Sequence, residues 1–210
     1  MCNEAYRRTQ LGEVAQDWGE TRIPLVFPEG MPNFPPLDGF RITDRVEIIR
    51  RAEGEALAAA MVTRRWSWPA PNKRPVYNFR SDGRRIGDGD GRMPNGGRCL
   101  IPVDGFFEFT DPPAPAEGAP KKKPPKSKWA FTMVGRAWFA IAGVWRTDPV
   151  VGEAWAMLTC PPGPDVAPYH DRQVVVLGPA DWAPWLSGEA PTADLCRPAP
   201  AGTLQVTQVR

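Results

Sequence analysis

Arg98-Cys-Leu-Ile-Pro102-Val-Asp-Gly105-Phe-Phe-Glu108-Phe109 is the stretch on which the fold turns. Its apolar run, Cys99–Phe109, reads as a buried strand broken by Pro102 and by Asp104-Gly105. Glu108 interrupts an aromatic run, with Phe106, Phe107 and Phe109 around it. A carboxyl in such a setting is unusual, because burial penalises its charge. Desolvation would raise its pKa toward neutrality, which suits proton transfer. A strand whose alternate face meets solvent accounts for the same spacing equally well.

Downstream, residues 111–127 are rich in Pro and Lys and read as a solvated insertion loop between two strands. Trp129–Met133 and Trp138–Trp145 have the pattern of a hairpin turning at Gly135-Arg136. Trp155–Cys160, Gln173–Leu177 and Thr203–Val209 read as further strands. Pro179–Leu186 reads as a short helix closing on Gly188. Upstream, Gly83, Gly87, Gly89, Gly91, Gly96 and Gly97 mark residues 81–97 as a long flexible loop. Arg45–Met61 reads as two strands of a hairpin, although Ala56–Met61 has helix propensity. Trp66 and Trp68, two apart, share a face if extended; they serve either core packing or base stacking. Residues 24–38 carry five prolines and are expected to be largely irregular. Thr9 is a plausible cap for a helix over Gln10–Trp18 that stops at Gly19. Residues 2–8 read as extended, ending in Arg7-Arg8. The sum is an α+β, strand-rich single domain over residues 1–210 with a few short helices.

Composition supports a folded chain built of short elements. The 210 residues include nine Trp, nine Phe, 26 Pro and 20 Gly. Net charge is only +2, yet Arg64–Arg98 holds nine basic residues against Asp82, Asp88 and Asp90, a local +6. Such a patch either is a solvated surface or holds a polyanion. The four cysteines form no CxxC pair and there is one His, so neither a metal site nor a cofactor is expected. No secretory leader and no membrane span are evident, and the expected compartment is the cytoplasm, with reduced thiols.

Cys2 follows the initiator Met. If Met1 is trimmed, Cys2 carries a free α-amine and a thiol on adjacent carbons. The amine, with a usual pKa of about 7.7–8.0, is partly neutral at pH 7. It can condense with an aldehyde to an imine; the sulfur then adds to the same carbon and closes a thiazolidine. A frayed terminus gives the same residue no role. Asn78 in Pro75-Val-Tyr-Asn78-Phe-Arg80 and the single His170 in His170-Asp-Arg172 are further polar residues in strand-like settings, and Arg80 shares a strand face with Asn78.

Together these segments resemble the SRAP family, the SOS-response-associated peptidases that process abasic sites. The resemblance runs through Met1-Cys2, Pro75–Ser81, Arg98–Phe109, Ala137–Trp145, Leu158-Thr159 and His170–Leu177 in that order. It departs at Asn3, Glu4 and Phe79, where the family carries Gly, Arg and Ala. It implies mixed and antiparallel sheets forming a barrel-like core. It also implies a monomer that binds single-stranded DNA and captures an abasic aldehyde as a covalent thiazolidine crosslink in the DNA damage response, nucleoid-associated when bound. Cys2 would supply amine and thiol, Asn78 would orient the N-terminal residue, Glu108 would act as acid and base, and His170 as the active-site His. Arg80 would contact the DNA backbone, with Arg7, Arg8, Arg84, Arg85, Trp66 and Trp68 further along the strand's path. The alternatives are a cysteine peptidase or self-processing hydrolase using Cys2, with lyase activity as a further option, and a non-covalent single-strand binder.

Overall fold

Asp104 divides the opening stretch between two sheets. The computed structural model describes residues 2–54, 56–112 and 125–210. Its main strands are β1 (Glu4–Arg7), β2 (Leu37–Arg41), β3 (Arg45–Arg51), β4 (Ala59–Trp66), β5 (Asn78–Arg80), β6 (Gly96–Val103), β7 (Gly105–Thr110), β8 (Ser127–Met133), β9 (Phe139–Asp148), β10 (Gly152–Cys160) and β11 (Leu204–Gln208). The helices are α1 (Leu11–Trp18), α2 (Pro179–Ser187) and the single turn α3 (Thr192–Leu195). One sheet runs β11-β8-β7-β1-β2, antiparallel throughout. The other runs β10-β9-β6-β3-β4, and β4 returns parallel onto β10 through Arg65 opposite Ala154 and Trp66 opposite Trp155, closing a five-stranded barrel. The strand-rich α+β reading with a barrel-like core holds.

The strand pattern follows from burial on both faces. Along β6, Leu100 joins one apolar cluster while Cys99, Ile101 and Val103 join the other. On β10, Ala154, Ala156 and Leu158 alternate in the same way with Trp155 and Met157. The first cluster packs under α1 and α2 through Val14, Trp18, Trp182 and Trp185. The second packs against the other sheet through Cys2, Ala5, Phe106 and Phe131. A strand covered on both sides reads as a continuous apolar run.

Several expectations change in detail. Pro102 lies inside β6, opposite Ala140, rather than ending it. Beyond Leu100 the other edge of β6 has no ladder partner, which is where a residue without an N–H is tolerated. Strands β8 and β9 are no hairpin, since they belong to different sheets. The Arg45–Arg51/Ala59–Trp66 hairpin does form. Helix α1 starts one residue later than expected. Gln10 caps it, with its N–H given to Glu13 Oε2 at 3.1 Å, and Thr9 gives its N–H to Asp104 instead. At Gly19 the helix tightens into a 3₁₀ turn rather than stopping. In the Pro-rich stretch Leu25–Val26 still pairs with β4.

The insertion read at 111–127 lies mostly outside the described residues, but its flanks, β7 and β8, are paired neighbours. The Gly-rich loop is laced down rather than loose. Ile86 is buried, Asp88 binds the Arg98 guanidinium and Thr192, and Arg92–Met93 pairs with β6. At Gly91, with φ +72°, a Cβ would meet the Leu186 carbonyl at 2.3 Å.

Candidate active site at the N-terminal strand

Strand β1 places Cys2, and Asp104 places β1. The Asp104 N–H donates to Tyr6 O at 2.9 Å, and its carboxylate accepts the N–H groups of Arg8 (2.8 Å) and Thr9 (3.1 Å). The turn between the two sheets thereby grips the far end of β1. The neighbouring Gly105 has no room for a side chain, since a Cβ would meet Tyr6 Cε1 at 2.6 Å and Phe131 O at 2.5 Å. With Ala5 opposite Phe106, β1 lies along β7, and Cys2 comes to rest against Glu108.

Two of the expected polar residues, Asn78 and Glu108, bind Cys2 directly, and a third, His170, feels the charge of the N-terminus. Asn78 Nδ2 donates to the Cys2 carbonyl at 2.8 Å. The Glu108 carboxylate accepts the Cys2 backbone N–H. Glu108 is 2% exposed; burial pushes its pKa up to about 7, against the opposing pull of the N-terminal ammonium and the Cys2 N–H. The acid is therefore divided between its two protonation states near neutral pH. Asn78 Oδ1 is buried and has no hydrogen-bond partner among the described residues.

His170 arrives on the 161–172 loop. Tyr169 packs tilted against Trp129, ring centroids 4.6 Å apart, and Trp129 is the cross-strand partner of Glu108. His170 Nδ1 lies 3.0 Å from the Arg172 backbone nitrogen and 2.8 Å from Asp171 Oδ1, so both neighbours hold the ring in place. Burial lowers the His170 pKa, and the positive N-terminus lowers it further, against the neighbouring Asp171. The ring is thus neutral at pH 7.

The Cys2 thiol is not activated at rest. Cys2 is 1% exposed, its Sγ–H donates to Glu4 O at 3.4 Å, and burial, together with the Glu108 charge, drives its pKa well up. At rest it is a neutral thiol.

The proposed DNA-contacting residues divide. Arg80 is exposed at the end of β5; Arg84 lies over the Phe79 ring at 4.8 Å, and Arg85 is exposed beside Asp88. Arg8 is exposed and paired with Asp38. Arg7 is not at the surface: it is 1% exposed, paired with Glu47 at 2.8 Å and stacked on Phe34. Nor are the tryptophans a base-stacking platform. Trp66 is buried against Trp155, its N–H given to Tyr77 O, and Trp68 is buried in the other cluster. Ser67, at φ +81°, turns the chain between them, so the two indoles leave in different directions. Arg64 and Arg98 of the basic stretch are also turned inward, onto Glu153 and Asp88. Glu4, expected to oppose DNA, is buried and held by Lys128 (2.8 Å) and Arg41 (3.3 Å).

Sequence reading missed the clamp that joins the Asn78 strand to the His170 loop. Arg172 Nη2 binds Asp82 Oδ2 at 2.6 Å and donates to Thr159 O at 2.8 Å. The same Thr159 carbonyl accepts the Ser81 N–H and hydroxyl. Arg172 sits in a quoted motif and Asp82 one residue past another, two residues after His170 and four after Asn78, but spacing alone does not pair them.

The SOS response associated peptidase (SRAP) family model matches residues 1–210. The chain belongs to the SRAP family. No curated protein sequence matches it. Solved structures share its fold. One is a protein from Bacteroides thetaiotaomicron, 16% identical with TM-score 0.68, covering 100% of this chain and 92% of that one. Another, from Bordetella bronchiseptica, is 20% identical with TM-score 0.63 and full coverage of both chains. A phage-related protein from Bordetella bronchiseptica is 19% identical with TM-score 0.65, covering 100% and 94%. Among the described residues no group of three or more His, Cys, Asp or Glu is arranged to hold a metal ion, and no helix is long and apolar enough to cross a membrane.

Proposed function

We propose that this SRAP protein, once Met1 is removed, captures the aldehyde of an abasic site in single-stranded DNA as a thiazolidine on Cys2. The observation that carries this reading is the Glu108 carboxylate bound to the Cys2 backbone nitrogen. That nitrogen becomes the reactive amine after Met1 is lost. Asn78 fixes the same residue from its carbonyl side.

The chemistry balances within these groups. The neutral amine adds to the aldehyde carbon to give a carbinolamine. Glu108, protonated in part at neutral pH, gives its proton to the leaving hydroxyl, and water departs. The carboxylate so formed accepts the thiol proton as sulfur closes on the iminium carbon. This last step answers the buried, neutral thiol, which has no thiolate to offer until a base takes its proton. His170 is the second acid–base side chain at the site, suited to handling the proton of the sugar ring oxygen as the ring opens. Arg80, Arg84 and Arg85 would track the flanking phosphates. An abasic nucleotide has no base to unstack, so presenting it costs less than flipping an intact one.

A cysteine peptidase needs a thiolate held by a base, and burial drives the Cys2 thiol the other way, so this reading is weaker. The test is intact mass after mixing the protein with a uracil-containing single strand pretreated with uracil glycosylase. An adduct lacking Met1 and one water, stable to denaturation and absent from Cys2→Ala, is expected. No adduct from protein whose Met1 is verified absent would overturn the proposal.

A further inference from the structure

Arg51 lies between two adjoining cavities at the end of β3, about 310 Å³ and 250 Å³, that share Arg50, Arg51, Ala52 and Glu53. The larger is completed by Gly91, Arg92, Gly96, Gly97 and Trp145. It is remote from the candidate active site in the barrel. Asn78 pairs with Met157, Met157 with Gly143, Gly143 with Cys99 and Cys99 with Arg50, each step about 4.8 Å across the sheet.

The walls of this cavity offer donors in excess of acceptors. Arg51 spends one guanidinium nitrogen on the Asp90 carbonyl at 2.9 Å, and its Nε is buried with no partner among the described residues. Among the described residues no carboxylate lies within ion-pair distance of it. Arg92 gives one nitrogen to the Gly54 carbonyl at 3.3 Å and meets Asp90 only at 3.9 Å. Arg50 is held by Glu153 and lies flat over the Trp145 ring at 4.1 Å, so its position is fixed. The half-buried Trp145 indole N–H, next to Gly97, has no acceptor among the described residues. Among the described residues Glu53 is the single acid on the wall. Two arginines hydrogen-bonded to carbonyls, only one of them near a carboxylate, an orphaned buried Nε and an unused indole N–H make a recess that a dianion would complete.

We propose that this recess is a binding site for a phosphate monoester, with Arg51 and Arg92 as the charged ligands and the Trp145 N–H as a neutral one. Its volume admits a group larger than phosphate alone, so the phosphate is either free or carried on a nucleotide. The inference is independent of the abasic-site reading and survives its failure.

The test follows the Trp145 indole N–H resonance of the ¹⁵N-labelled protein while inorganic phosphate, and separately deoxyadenosine 5′-monophosphate, is added, with sodium chloride at matched ionic strength as reference. A saturable shift at millimolar concentration is expected with phosphate, weakened about tenfold or more by Arg51→Gln and unchanged by Arg136→Gln at the exposed turn after β8. Tighter binding of the nucleotide identifies the nucleotide as the form recognised; equal binding identifies free phosphate. A shift matched by chloride, or one that Arg51→Gln leaves intact, overturns the proposal. If Arg51→Gln fails to fold, Arg92→Gln carries the same test.

Discussion

Arg98 and Glu108 stand at the two ends of one stretch, both buried, and the molecule treats them in opposite ways. Arg98, with its side chain fully covered, is met on every side: by Asp88, by Thr192, and by the carbonyls of Ile86, Trp185 and Ala190, with Trp185 beneath its plane. Burial lowers its pKa and Asp88 opposes that fall, so it stays charged and joins the Gly-rich loop to α2 and α3. Glu108 lies among aromatic rings, and burial holds it near the middle of its titration. A charge that is fully answered makes structure. One that burial leaves between two protonation states can exchange a proton with whatever enters the site.

That contrast can be broken from either end. Arg98→Met should cost roughly 3–5 kcal/mol of unfolding free energy, because Asp88 and three carbonyls lose their partner. Denaturant unfolding measures it, and a loss near zero would mean the loop is anchored by its apolar contacts alone. Glu108→Gln should leave the fold in place and slow capture at least about a hundredfold, roughly 2.7 kcal/mol of barrier, in a single-turnover crosslinking assay.

The same substitution has a pH signature. The folded Glu108 pKa is raised from 4.5 to about 7, so its contribution to stability is full below about pH 4.5 and is lost as pH rises through 7. Glu108→Gln should remove that decline, read as a flatter midpoint-versus-pH curve; an identical curve would place the acid's pKa elsewhere. Asp82→Asn removes a half-exposed partner from Arg172, and its effect on stability should stay within about 1 kcal/mol. Its capture rate should fall even so, because Asn78 and His170 lose their tie. Smallest of all, Arg80→Ala should weaken binding to single strands of every sequence and lower the salt slope by about one.

The sequence made the strands legible because both faces of the barrel are apolar, and a continuous Val-Ile-Leu-Ala pattern has few other readings. It did not reveal which sheet a strand joins. Val103 and Phe106 look like one run until Asp104 is seen bonding back to Tyr6, Arg8 and Thr9. Cys2 and Glu108 stand out by position and setting, and Asn78 and His170 as polar residues in strand-like runs, but only the family resemblance groups the four, since they come from four separate segments. Trp66, Trp68 and Arg7 were misread for a shared reason. Counting positions assumes regular backbone and outward charge, whereas Ser67 takes a positive φ and Glu47 draws Arg7 inside.

The grip of Asp104 on Tyr6, Arg8 and Thr9 works as a ruler. From that fixed mark the chain counts back to Cys2, and each residue of β1 lands on one side of the sheet or the other by parity. Adding a residue between Cys2 and Ala5 would leave the strand paired but present a different atom to Asn78 and Glu108. The length of chain between Asp104's grip and Cys2 therefore sets which backbone atoms meet Asn78 and Glu108.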